Sequence, residues 1–185
     1  ILYTVGTPPG IEITAPLSDA LVNEGAASTF SATITDNEDA LNEPTLSWVS
    51  SLDGEISTQG ADHSGVASFT HAALSSGFHT LTVTVSDTDG LLASDAVTFT
   101  VNALPTAPSV TITPESPYTS DDLIVSATGS SDPDSAVSVT NSYQWYENSV
   151  ELVGMNVSSL SRDATSKNFT YKVVVTPSDG LGDGP

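Results

Sequence analysis

Two stretches of this chain repeat one another. Residues 79–91 read His-Thr-Leu-Thr-Val-Thr-Val-Ser-Asp-Thr-Asp-Gly-Leu, and residues 169–181 read Phe-Thr-Tyr-Lys-Val-Val-Val-Thr-Pro-Ser-Asp-Gly-Leu. Each is an alternating apolar run that ends in an acidic turn closed by Gly-Leu. A single tryptophan, Trp48 or Trp145, lies on a β-type run upstream of each. The spacing of roughly 90 residues means tandem domains rather than one larger fold. It suits a sandwich of about 100 residues, a size that supports a thin core. Alternating Val, Ile, Thr, Phe and Leu broken by Gly, Pro, Ser and Asp is an all-β pattern, without sustained helical periodicity. The expected fold is therefore two immunoglobulin-like β-sandwiches in series.

Punctuation along the chain sets the boundaries. Ile1, Leu2, Tyr3, Thr4 and Val5 read as the end of a strand, broken by Gly6-Thr7-Pro8-Pro9-Gly10. Val97–Asn102 followed by Ala103-Leu104-Pro105-Thr106-Ala107-Pro108 has the same form. Residues 1–9 are thus assigned to the last strand of a preceding module plus a linker, 10–102 to module one, 103–108 to a Pro-containing linker of limited flexibility, and 109–185 to module two. Strands are expected near 11–14, 28–35, 44–50, 66–71, 78–86 and 94–102, then near 109–113, 122–128, 140–147, 156–160 and 168–176. Module two has no counterpart of 94–102, which predicts an open sheet edge. Either the chain is part of a longer repeat protein, or residues 1–5 act as a donor strand that fills the gap in a second copy. Such head-to-tail strand addition would propagate as a filament.

Charge narrows the partners. Three Lys and Arg stand against 23 Asp and Glu, a formal charge of −20. Arg162, Lys167 and Lys172 are the cations, all in the second half. Nucleic acid is excluded as a partner, because phosphate binding needs a cationic footprint. No apolar run approaches the ~18 residues of a membrane helix, and an anionic membrane surface is disfavoured. The chain has no cysteine, hence no disulfide and no thiolate site. Self-repulsion on this scale calls for counter-ions, bound divalent metal or high salt.

The acidic residues recur at matching places. Module one carries Asp36-Asn37-Glu38-Asp39 after its second strand and Asp87-Thr88-Asp89-Gly90 after its penultimate one. Module two carries Asp132-Pro133-Asp134 and Asp179-Gly180. In an immunoglobulin-like topology these B–C and F–G loops share one end of the sandwich. Asp36, Glu38, Asp39, Asp87, Asp89, Asp132, Asp134 and Asp179 are therefore candidate ligands for calcium, which takes six to eight oxygens. The competing reading is that Asp and Gly are simply preferred in turns.

Trp48 and Trp145 occupy strand-C positions and are expected in the core. Tyr143 should share the inward face with Trp145, leaving Gln144 and Tyr146 outward. His63, His71 and His79 lack the further ligands of a zinc site and read as surface or turn residues. No Gly-x-Ser-x-Gly elbow, Ser-His-Asp set or phosphate loop stands out, so no catalytic residues are assigned. Asn156-Val157-Ser158 and Asn168-Phe169-Thr170 match the N-glycosylation pattern.

Residues 46–54, Leu-Ser-Trp-Val-Ser-Ser-Leu-Asp-Gly, resemble the strand-C region of PKD-like and bacterial immunoglobulin-like (cadherin-like) repeats, as do residues 74–90. Ser130-Ser131-Asp132-Pro133-Asp134, Trp145 and Thr176–Gly180 make module two similar to a diverged member of the same group. The Trp-x-Phe-Gly-Asp-Gly signature of PKD repeats is replaced by Trp48 leading into Ser51-Leu52-Asp53-Gly54. The resemblance implies an extracellular, cell-surface stalk, filament or sheath whose partners are neighbouring modules or copies of itself. An adhesive module for glycan or protein, or an accessory domain of a secreted enzyme, is the alternative. Fold alone does not choose between them.

Overall fold

A computed structural model of the 185-residue chain describes residues 6–134 and 138–185. The chain divides after Asn102 into two compact units. Each is an immunoglobulin-like β-sandwich, and among the described residues no helix is long and apolar enough to cross a membrane. The donor-strand assignment for residues 1–5 lies outside the described residues.

Unit one contains β1 (Gly10–Ala15), β2 (Ala20–Asn23), β3 (Ser28–Thr35), β4 (Thr45–Ser50), β5 (Gly54–Ser57), β6 (Val66–His71), β7 (Gly77–Ser86) and β8 (Leu92–Asn102). One sheet has the order β1-β3-β6 and the other β2-β8-β7-β4-β5. All pairs are antiparallel except β2 with β8. The strand alternation decides the core. Phe30, Ala32 and Ile34 of β3 face Leu46 and Trp48 of β4, Leu81, Val83 and Val85 of β7, and Phe99 and Val101 of β8. Phe30 stacks on Phe69 at 5.3 Å between centroids, and Trp48 meets the same ring edge-on at 5.1 Å. Such aromatic pairs add about 0.5–1.5 kcal/mol beyond burial.

Unit two contains β9 (Ser109–Thr113), β10 (Leu123–Thr128), β11 (Thr140–Glu147), β12 (Val150–Glu151), β13 (Ser159–Leu160) and β14 (Tyr171–Ser178). A 3₁₀ turn spans Arg162–Ala164. The sheets run β13-β10-β9 and β12-β11-β14. Its core is smaller, with Leu123, Val125, Trp145, Leu160 and Val175 buried and Tyr143 packed against them. Among the described residues β14 pairs along its length with β11 alone. Past β14 the chain doubles back, with a bridge between Ser178 and Asp183 and a hydrogen bond from Gly184 N to Pro177 O of 2.8 Å.

Both indoles are fully buried and solve the same problem in the same way. An indole N–H inside an apolar core needs an acceptor. Trp48 Nε1 donates to Gln59 O and Trp145 Nε1 to Val157 O, each at 3.0 Å. Strand structure expected over 156–160 shrinks to two residues, Ser159–Leu160. Val157 O is taken by the indole, so it is not free to accept from a neighbouring strand. Likewise β14 begins at Tyr171 rather than 168, because Asn168 adopts φ 71° and Thr170 N bonds to Asn148 Oδ1.

The segment entering each unit is fastened to it. Pro9, Ala103 and Pro105 are buried, and Thr106 exchanges backbone and hydroxyl hydrogen bonds with Ser130 and Ser131. Ala103–Thr106, expected as linker, thus belongs to unit two.

Trp48→Ala should destabilise unit one by roughly 3–5 kcal/mol, from lost packing and the cavity left behind. Equilibrium denaturation checks this; a loss below about 0.5 kcal/mol, the level of a surface substitution, would contradict the packing described.

Candidate metal centre

In unit one the turns after β3 and β7 bring three carboxylates together. Ligand oxygens of Asp36, Asp39 and Asp87 lie within 4.8 Å of one another, and Asp87 is only 8% exposed. Each carboxylate is oriented locally. Asp36 Oδ1 accepts from Glu38 N and Asp39 N, both at 2.8 Å. Asp39 accepts from Thr88 N at 3.0 Å and from the Thr88 hydroxyl at 2.8 Å, which ties the two loops. Asp87 Oδ1 accepts from Leu91 N at 2.7 Å. That turn closes through Gly90, whose φ of 84° favours glycine. Asp36 Oδ2 is left buried with no hydrogen-bond partner, a costly state for a carboxylate oxygen. The Asp39 and then the Glu38 amide hold the Asp36 carboxyl below the usual carboxylate range, so it is ionised at neutral pH.

Glu38 and Asp89 take a different direction. Glu38 Oε2 accepts from the Thr7 hydroxyl at 2.7 Å, and a Cβ on Gly6 would come 3.0 Å from Asp89 Oδ2. Both therefore face the entering segment, while the three aspartates face each other.

Unit two keeps aspartates at the matching places, but among the described residues only the unit-one trio forms a close carboxylate cluster. Asp179 is 7% exposed, and its Oδ1 accepts from Leu181 N at 2.7 Å and Gly182 N at 2.6 Å. It is the first residue past β14, as Asp87 is past β7. Asp134 Oδ2 accepts from Ala103 N at 2.7 Å, and Asp132 Oδ1 from Asp134 N at 3.1 Å. Asp132 Oδ2, like Asp36 Oδ2, is buried and unpartnered. Burial first, then the adjoining Asp134 carboxyl by hydrogen bonding and charge, and last the charge of Asp179, push the Asp132 carboxyl up against the Asp134 amide. Asp132 thus holds its proton more tightly than Asp36 does.

The remaining residues singled out in the sequence lie elsewhere. Asn156 and Asn168 are exposed, as is His63, and His71 is half-buried. His79 corrects the expectation of a surface histidine: it is fully buried and stacks on Phe99 at 4.9 Å. The alternation that turns Leu81, Val83 and Val85 inward also turns His79 inward, and that signal was readable. Ser50 Oγ lies 2.8 Å from His79 Nδ1, and Asp53 Oδ2 lies 3.8 Å from the same nitrogen. His79 Nε2 meets Ser75 O at 2.8 Å. A carbonyl only accepts, so Nε2 carries the hydrogen and Nδ1 accepts from Ser50. A relay needs the carboxylate and hydroxyl on opposite ring nitrogens; here both sit at one. Ser50 is 1% exposed, and its oxygen also accepts from Leu52 N and Asp53 N. This trio braces the turn into β5.

No protein-family model and no curated protein sequence matches the chain. Solved structures do. Titin domains A168–A170 align over 98% of this chain and 64% of that one, at 14% identity and a TM-score of 0.47. The fibronectin(III)-like modules of Clostridium thermocellum CbhA align over 50% of this chain and 94% of theirs, at 15% identity and 0.42. The Ig1-2 module of the Drosophila receptor protein tyrosine phosphatase DLAR aligns over 96% of this chain and 94% of its own, at 12% and 0.40. These are similarities of fold and carry no function.

The two carboxyls should respond to pH in opposite directions. Asp36, lowered in the fold, contributes stability at neutral pH that is lost as pH falls through its folded pKa. Asp132, raised, weakens the fold when ionised, and acidification through its folded pKa relieves that penalty. Asp132→Asn should therefore raise the cation-free melting temperature of unit two, whereas Asp36→Asn should lower that of unit one. Melts followed across the acid range check both signs.

Proposed function

We propose that this chain is a non-catalytic structural segment of an extracellular surface protein, built from PKD-like or cadherin-like modules and stiffened by calcium at the acidic end of each unit. The observation that carries the reading is a buried carboxylate oxygen with no protein donor, Asp36 Oδ2 in unit one and Asp132 Oδ2 in unit two; the first sits in a close cluster with Asp39 and Asp87, and the second feels the charges of Asp134 and Asp179. A hard cation satisfies such an oxygen and cancels the repulsion around it. Asp36, Asp39 and Asp87 would hold it in unit one, and Asp132, Asp134 and Asp179 in unit two.

Mechanical use follows from placement. In each unit the acidic loops are bonded to the entering segment, through Thr7 on Glu38 and through Ala103 on Asp134. A cation there locks the loops and the incoming chain as one body. Long antiparallel ladders, β7 with β8 above all, resist extension along the strands.

Calcium should raise both melting temperatures by several degrees in low salt, and chelator should reverse it. Asp36→Asn and Asp132→Asn should each abolish the gain in its own unit. An equal gain from sodium chloride at matched ionic strength, or no gain, would overturn the calcium reading.

A second reading, strand donation between copies, is favoured by the edge of β14 before Pro177, which no described strand pairs. The donor would be residues 1–5. Light scattering should then show mass growing with concentration, and deletion of residues 1–5 should leave a single monomer. A full-length chain that stays monomeric throughout would defeat it.

A further inference from the structure

A cleft of about 360 Å³ opens in unit two, between the turn before β10 and the loop before β14. It lies at the start of β10, whereas Asp132 lies past its end. The volume falls within the range of about 300–1,000 Å³ of small-molecule sites. Its floor is the buried Leu123, and Tyr118, Asp121, Lys167, Asn168 and Phe169 stand around it. Tyr118 is 79% exposed and Phe169 47%. These two aromatic side chains come from distant parts of the chain and meet at one small cleft rather than in a broad apolar patch.

The walls are held in place without a ligand. Tyr118 N donates to Asp121 Oδ2 at 2.9 Å, and Asp121 N returns a bond to Tyr118 O at 3.0 Å. Opposite, Tyr171 Oη donates to Glu147 Oε1 at 2.6 Å and accepts from Ser166 N at 2.8 Å. Thr170 N and Asn148 N complete the brace by bonds to Asn148 Oδ1 and Thr170 O. Burial and then Glu147 raise the Tyr171 hydroxyl above its ordinary pKa, so it stays protonated and keeps donating. A preformed site loses less entropy on binding.

The cations sharpen the case. Arg162 pairs with Asp122 at 3.1 Å, and Lys172 lies 5.6 Å from the Tyr146 ring centre. Lys167 has no ion-pair partner among the described residues, and it lines the cleft. Against Asp121 it leaves the lining without net charge, in a chain that carries −20. The lining therefore combines aromatic surface, one carboxylate acceptor, one ammonium donor and one amide. That set matches a neutral ring with an apolar C–H face and several hydroxyls, each able to donate or accept.

We infer that this cleft is a binding site for a neutral pyranoside, which stacks on Tyr118 and Phe169 and takes hydrogen bonds from Lys167 and Asn168 and to Asp121. The inference does not depend on the calcium reading, since it uses none of the same residues.

Saturation-transfer NMR on the full chain tests it, with methyl β-D-glucopyranoside, methyl α-D-mannopyranoside, methyl β-D-galactopyranoside and methyl β-D-glucopyranosiduronate as probes. At least one neutral glycoside should receive saturation at its ring protons. Tyr118→Ala should weaken that binding at least tenfold and Lys167→Ala several-fold, whereas Tyr146→Ala, outside the cleft, should change nothing. Both Tyr118 and Lys167 are exposed, so circular-dichroism melts of these variants should match the parent. No transfer to any probe, transfer to the uronate alone, or neutral binding that survives Tyr118→Ala would overturn the assignment.

Discussion

Each sandwich is organised around one indole lying between its sheets. Trp48 and Trp145 supply the largest apolar surface in their units, and each brings a polar N–H into a place that water does not reach. The carbonyls that meet this need, Gln59 O and Val157 O, come from segments crossing between the sheets. The indole thus sets both the packing of the core and the course of a crossing loop. In unit one that course leads into β6, and Phe69 of β6 returns to pack on the same ring. Unit two has less apolar material around its indole, with a two-residue β13 in the equivalent place.

The acidic loops show two solutions to one electrostatic problem. A carboxylate in a tight turn finds free amide donors, and Asp36, Asp87, Asp132 and Asp179 each use one oxygen for this. What differs is the strength of the amide support. Asp36 receives two short bonds and is held ionised; Asp132 receives one longer bond and is pushed toward protonation by burial and its neighbours. The same fold position therefore carries different proton affinity in the two units. A divalent ion would erase that difference by dominating the local field.

Unit two separates two chemistries along β10. Past the strand's end lie the aspartates, without a cation among them. Before its start lie Tyr118, Phe169 and Lys167, with Arg162 nearby on Asp122. All three cations of the chain are in this unit, and two are committed to local partners.

The tandem organisation, the all-β class, the inward faces of the long strands and the excess of negative charge were all determined by sequence alone. Each is a property of local periodicity or of composition, and β3, β7 and β8 express it over eight residues or more. His79 was equally legible, since it stands two residues before Leu81 on the same face. The short strands β2, β5 and β12 were not, because two to four residues give no period to read. Which aspartates converge, and which turn toward the entering segment, was decided only by tertiary structure. So was the meeting of Tyr118 with Phe169. Contacts between loops depend on strand register and on the path of the chain across the sandwich, and neither quantity is encoded in the spacing of the residues that finally touch.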